Sequence, residues 1–208
     1  MYSASNIIVQ SSVNALGTDT VAAWTAYSKI DSLYWMVVSA LGISITTFVG
    51  QNYGAGKMDR VKKSVFVCLG ITALITVLLS ATFYTVGGSI YLLFTTDAAV
   101  IAKGMEILHF LVPTFLFYIC IEIYSGALRG VGDCWIPMIM TAGGVCVLRV
   151  LWVLLAVPQH PTILMVVFSY PLTWALTSVL FNIYFFWFSP LKKFEVRLPR
   201  RRRQRRTA

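Results

Sequence analysis

From Ser64 to Val86 the chain carries no charged side chain, and the heart of this run, CLGITALITVLLSATFYTV, shows no two-residue alternation of polar and apolar positions. That single stretch restricts the fold severely. A bilayer hydrocarbon core about 30 Å thick needs roughly 20 apolar residues in one helix. A membrane-spanning strand would be shorter and would alternate its faces. Comparable runs recur, so that helices are expected at about 1–16, 21–49, 64–86, 105–125, 135–157 and 162–188. Composition agrees: 58% of residues are hydrophobic and 12% charged, against about 25% charged in soluble domains. The expected fold class is all-α, a polytopic bundle of six transmembrane helices over residues 1–189, followed by a basic tail at 190–208.

The net charge of +9 belongs mostly to that tail, which holds nine Lys/Arg and one Glu from Lys192 onward. Connections fall where helix breakers and caps cluster. Gly17 opens GTDT after the first segment, Thr95-Thr96-Asp97 offers a helix N-cap, and PQHP (Pro158 to Pro161) separates the last two segments. Lys57, Arg60, Lys62, Lys63, Arg129 and the tail lie on one side of this arrangement, with Lys103 alone on the other. Basic residues mark cytoplasmic loops, so both termini are expected in the cytoplasm and the chain in the plasma (inner) membrane. The first segment, about sixteen residues from Met1, is short for a span and reads as a helix entered partway along.

Polar residues inside apolar runs are the candidate site residues, because such groups usually face a bundle interior or a cavity. Asn6, Gln10 and Asn14 repeat every four residues and form one stripe, which would line a cavity or bond to a neighbouring helix. Lys29 and Asp31 point to different faces. Counting back about twenty residues from Gly50 puts both near the outer interface, where lysine snorkelling is the expected reading and solute contact the alternative. Thr114, Tyr118 and Glu122 share a face below Pro113, where a kink is expected. Glu122 is read either as a structural partner of a base such as Arg149, or as an acid linked to proton or cation movement. Trp24, Trp35, Trp135, Tyr184 and Trp187 fall near segment ends, as interfacial belts do, with Trp152 and Trp174 deeper.

Several chemistries are excluded. Cys68, Cys120, Cys134 and Cys146 lack CxxC spacing, and His109 and His160 are isolated, so neither a metal site nor a disulfide framework is indicated. No nucleophile–base constellation suggests an enzyme, and no cofactor is expected. GQNYGAGKMDR (Gly50 to Arg60) superficially suggests a phosphate loop. The G-x-x-x-x-G-K-[ST] pattern, however, would need glycine at Gln51 and a hydroxyl at Met58, and a membrane helix rather than a strand precedes it.

In context, the same stretch, with Gly50, Gln51, Asn52, Gly54, Gly56 and Arg60, resembles a cytoplasmic loop of the MATE (multidrug and toxic compound extrusion) transporters. VNALGTDTVAAW (Val13 to Trp24), FTTDAAVI (Phe94 to Ile101), SGALRGVGDCWIP (Ser125 to Pro137) and Arg149 extend the likeness in order along nearly the whole chain, the arginine tail excepted. The resemblance implies one six-helix lobe, the C-terminal one, of a twelve-helix fold, entered within its first helix. It also implies export of organic cations and other amphipathic solutes, driven by sodium or proton entry. The acids that one branch of the family carries fall here on Tyr2 and Tyr118, with Glu122 one turn away. Gln10, Asn14, Tyr118, Glu122 and Arg149 are therefore the expected solute- or cation-contacting residues. Small-molecule solutes, membrane lipids and a missing N-terminal lobe or a second copy are the expected partners; nucleic acid is not. Two other readings stay open. One is a lipid-linked glycan flippase, which several internal bases would favour, whereas Arg149 alone is clearly internal. The other is a non-transporting membrane interaction protein whose RRRRQRR tail binds anionic lipid headgroups.

Overall fold

The computed structural model describes the backbone of residues 2–189 and the side chains of residues 5–189. The basic tail at 190–208 and the Tyr2 side chain lie outside the described residues. The elements are α1 (Tyr2–Asn14), α2 (Thr18–Gly54), α3 (Met58–Tyr91), α4 (Ala98–Leu111), α5 (Phe115–Gly130), α6 (Trp135–Thr141), α7 (Leu148–Leu155), α8 (Ile163–Val167) and α9 (Ser169–Ile183). No strand occurs among the described residues.

Five stretches are long and apolar enough to cross a membrane: Thr18–Gly54, Met58–Tyr91, Ala98–Gly130, Trp135–Leu155 and Ile163–Phe188. The chain is an all-α polytopic membrane bundle. The 13 residues of α1 fall short of a span. The longer helices outrun their apolar runs. The second, expected over 21–49, covers 37 residues to Gly54, and the third, expected over 64–86, begins at Met58 and ends at Tyr91. Hydropathy marks where lipid begins, whereas backbone bonding carries the helix on through polar flanks.

Hydroxyls adapt to this apolar setting by bonding back to their own helix. Thr25, Ser44, Thr72 and Thr82 each donate to the carbonyl one turn earlier, which satisfies these four donors within their own helices. Pro113 interrupts the third long stretch as expected, with a 3-10 turn at Val112–Thr114 between α4 and α5. A π turn at Ala142–Val147 joins α6 to α7, and α8 meets α9 at Phe168. Asp97 caps α4, its Oδ1 accepting from the Ala99 amide at 2.8 Å.

The polar joints repeat one device. After α2, the Lys57 amide reaches back to the Asn52 carbonyl (2.9 Å) and the Gly56 amide to Tyr53 (3.0 Å), with Gly56 at φ +69°. After α5, Asp133 reaches Leu128 (3.0 Å) and Gly132 reaches Arg129 (3.0 Å), with Gly132 at φ +87°. Both are Schellman ends, in which a left-handed residue closes the helix and glycine alone adopts it without strain. Among the loop glycines, then, Gly56 makes the turn, while Gly50 and Gly54 belong to α2.

Gly50 has a different task. α2 and α5 share the most extensive contact in the fold, and small residues line it: Gly42, Thr46 and Gly50 on α2 against Gly126 and Gly130 on α5. A methyl group at Gly130 would lie 2.6 Å from the Thr46 carbonyl oxygen, and one at Gly126 would lie 2.8 Å from that of Gly42. Thr46 Oγ1 donates across the seam to the Gly126 carbonyl at 2.9 Å. Small residues four apart let backbones approach closely where lipid supplies no hydrophobic drive between helices. This seam holds Tyr118 and Glu122 of α5 at a fixed height against α2.

Candidate functional site

α1, α2, α5, α7 and α9 border a cavity of about 440 Å³, half of whose lining residues are aromatic. Trp24, Tyr27 and Trp35 come from α2, Tyr118 from α5, and Tyr170 and Trp174 from α9. The rings brace one another. Trp35 meets Tyr118 edge-on at 4.5 Å and Trp174 at 5.8 Å, while Trp24 stacks on Tyr27 at 5.4 Å. Tyr170 abuts both Trp24 (6.0 Å) and Trp174 (5.6 Å). Such contacts fix ring orientation around the space between.

Two opposite charges share this cavity. Asp31 of α2 accepts from Trp35 Nε1 at 2.6 Å and from the Tyr27 hydroxyl at 3.3 Å. Arg149 of α7, almost wholly buried, lays its guanidinium carbon 3.9 Å from the Tyr170 ring centroid. Its Nε has no hydrogen-bond partner among the described residues. Lys29 and Asp31 do point to different faces: Lys29 is exposed, while Asp31 turns into the cavity. Of the tryptophans read as an interfacial belt, Trp24 and Trp35 wall the cavity, whereas Trp135 and Trp187 remain exposed. A usable signal existed: Trp24, Tyr27, Asp31 and Trp35 follow a 3-4-4 spacing, which puts three rings and an acid on one helix face.

The expected site residues divide between this cavity and a second one. Asn6 and Gln10 of α1 line the first; Asn14 does not, but accepts from Gln10 Nε2 at 2.9 Å and so holds that amide. Glu122 lies in the second cavity, about 370 Å³, with Ser125, Arg129, Cys134 and Thr141. Its ion pair is with Arg129 Nη2 at 3.7 Å, two turns along its own helix. Glu122 thus pairs with a base, as one reading of it holds, but the base is Arg129 rather than the candidate Arg149, which faces the first cavity. The Tyr118 hydroxyl donates to Glu122 Oε2 at 3.1 Å, and Tyr118 lines both cavities. It forms the partition between an acid–base pair on either side. Gly42 makes room for the arrangement, since a methyl group there would collide with the Glu122 carboxylate.

Gly50, Gln51, Asn52, Gly54 and Gly56 line neither cavity. Asn52 donates back to the Phe48 carbonyl at 2.8 Å, so these residues build the joint. Arg60 lies beside a lateral groove between α2 and α3. Among the described residues, no three His, Cys, Asp or Glu side chains converge as a metal site would require. The first cavity thus presents aromatic rings together with one acidic and one basic side chain. Aromatic faces attract organic cations by about 0.5–2 kcal/mol, more as water is excluded.

The sequence model of the MatE family matches residues 1–155. A probable multidrug resistance protein, YoeA of Bacillus subtilis, is 26% identical over 141 residues, covering 68% of this chain and 30% of that protein. The probable multidrug resistance protein NorM of Bacillus cereus is 33% identical over 127 residues, covering 60% and 27%. The chain therefore spans less than a third of the length of these relatives. In fold it resembles a crystal structure of MATE in the bent conformation (TM-score 0.81, 18% identity, 93% of this chain and 43% of that one). A MOP superfamily transporter from Pyrococcus furiosus is similarly close (TM-score 0.82, 16% identity, 89% and 41%). With a family match over most of its length and the same helical architecture as solved members, this membrane chain belongs to the MatE family.

Proposed function

We propose that this chain forms one lobe of a multidrug exporter, in which organic cations and other amphipathic solutes leave in exchange for entering sodium or protons. The observation that carries this reading is the aromatic cavity with Asp31 hydrogen-bonded at its wall. Six rings and the Asp31 carboxylate, which offsets the Arg149 guanidinium in the same space of about 440 Å³, are read as a seat for a lipophilic cation, and the relatives' own names speak of multidrug resistance. The lobe would sit in the plasma membrane with both ends in the cytoplasm. Its cavity would be completed by an N-terminal lobe or by a second copy. Solutes and lipids are its partners, it needs no cofactor, and it performs transport rather than enzymatic chemistry.

The test is flux of tetraphenylphosphonium through the intact protein in proteoliposomes, under an imposed sodium or proton gradient. Gradient-driven movement of the cation, well above that of the isosteric anion tetraphenylborate after subtraction of lipid-only leak, is the expected result. No gradient-driven flux of the cation under either ion would overturn the proposal. The same assay addresses the second cavity. Glu122→Gln is expected to shift the pH dependence of export, because it removes a titratable acid that accepts from the Tyr118 hydroxyl at the partition. Unchanged flux and an unchanged pH profile would reduce Glu122 to a structural partner of Arg129.

A further inference from the structure

Outside both cavities, α2 and α3 bound a lateral groove of about 450 Å³. Its walls are Leu41, Ile45 and Phe48 from α2 and Val67, Cys68 and Ile71 from α3, and its charge is confined to one end, where Arg60 and Lys63 sit. Phe48, Val67 and Ile71 are each about half exposed. Neither Arg60 nor Lys63 forms an ion pair among the described residues. The transport reading above uses none of these side chains.

The dimensions identify an occupant. From Arg60 to Ile71 the helix rises about 16 Å at 1.5 Å per residue. That equals about half of a ~30 Å hydrocarbon core, the depth of one leaflet. A molecule with an anionic head at the charged end and an aliphatic chain along the groove would match the apolar length and the charge together. The charge also needs a counterpart. Arg60 and Lys63 lie in the first turns of α3, where the helix dipole is positive and disfavours further cations. Asp59 is the acidic residue of that first turn. A free phosphate would satisfy the cations and leave the apolar trough unused.

We infer that the α2–α3 groove is a binding site for an anionic phospholipid, whose phosphate lies between Arg60 and Lys63 and whose acyl chain lies against Phe48, Val67 and Ile71. The site is independent of the export reading. If transport of cations fails to appear, the lipid site stands or falls on its own measurement.

Native mass spectrometry of the intact protein, equilibrated with equimolar phosphatidylglycerol and phosphatidylcholine, gives that measurement. The expected result is a roughly thirtyfold preference for phosphatidylglycerol, from two cations near the headgroup plane, falling to near parity in the R60Q/K63Q double variant. Val67→Trp, which fills the trough and spares both charges, should remove the retained lipid altogether. Because Val67 is half exposed, that protein is expected to melt like the wild type. Glycerol 3-phosphate should not displace the lipid, whereas dioctanoyl phosphatidylglycerol should. The inference is overturned if the double variant keeps its preference, if V67W retains the lipid, or if glycerol 3-phosphate competes as well as the short-chain lipid.

Discussion

Asp31→Asn is expected to raise the half-saturating concentration of an organic cation at least tenfold, with little effect on a neutral amphiphile of the same size. The amide keeps an acceptor for Trp35 Nε1, so the 2.6 Å bond that orients the indole has a successor and the cavity keeps its shape. What changes is the field. Arg149 lines the same cavity, and once Asp31 is neutral its buried guanidinium leaves the site with net positive charge. A cation then loses an attraction and meets a repulsion. At an effective dielectric near 20, two unit charges several ångströms apart interact by roughly 2–4 kcal/mol, of which about 1.4 kcal/mol suffices for tenfold. Asp31→Glu should retain most of the affinity. Flux titrations with tetraphenylphosphonium and a neutral analogue separate the effects, and equal half-saturation in wild type and D31N would make Asp31 a structural acceptor only.

Asp31 shows how far hydropathy carries and where it stops, since nothing in an apolar run says which polar group turns into a cavity. Apolar runs locate the spans because a hydrocarbon solvent tolerates little else, and the all-α architecture follows from them. They do not locate helix ends. Counting about twenty residues back from Gly50 presumes a helix of membrane thickness, whereas α2 continues for 37 residues, about 55 Å at 1.5 Å per residue. Tryptophan carries a similar ambiguity, since the amphipathic ring that suits an interface also suits a cavity wall. Trp24 and Trp35 took the second role, and only their register with Tyr27 and Asp31 distinguished them. Arg149 was legible as an internal charge but not as the neighbour of Tyr170, because that contact joins α7 to α9 through tertiary packing. The Glu122–Arg129 pair was within reach of the sequence, as seven residues make two helical turns. The fold-bearing role of Gly126 and Gly130 was visible only as part of a loop motif, though their four-residue spacing is itself a close-packing signature.

Those glycines carry the largest expected structural effect. Gly130→Ala adds one methyl group, which would lie 2.6 Å from the Thr46 carbonyl oxygen and 2.9 Å from Val49 Cγ1. The first obstacle is backbone, so no rotamer change relieves it, and α2 and α5 must part or slide. Parting the helices also strains the Thr46 bond to the Gly126 carbonyl and displaces Glu122, which rests in the space that Gly42 leaves. Overpacking of this kind costs about 1–3 kcal/mol, against a gain of roughly 0.5–1 kcal/mol from replacing glycine by alanine inside a helix. Gly70→Ala in α3 isolates that gain, because its methyl group would meet nothing within 4 Å. Thermal melts in one detergent should therefore move in opposite directions, downward for G130A and level or upward for G70A. Cation export by G130A should fall with its stability, since the same seam sets the height of Tyr118 between the two cavities. If both variants melt alike, close approach of α2 and α5 is not what holds the lobe together.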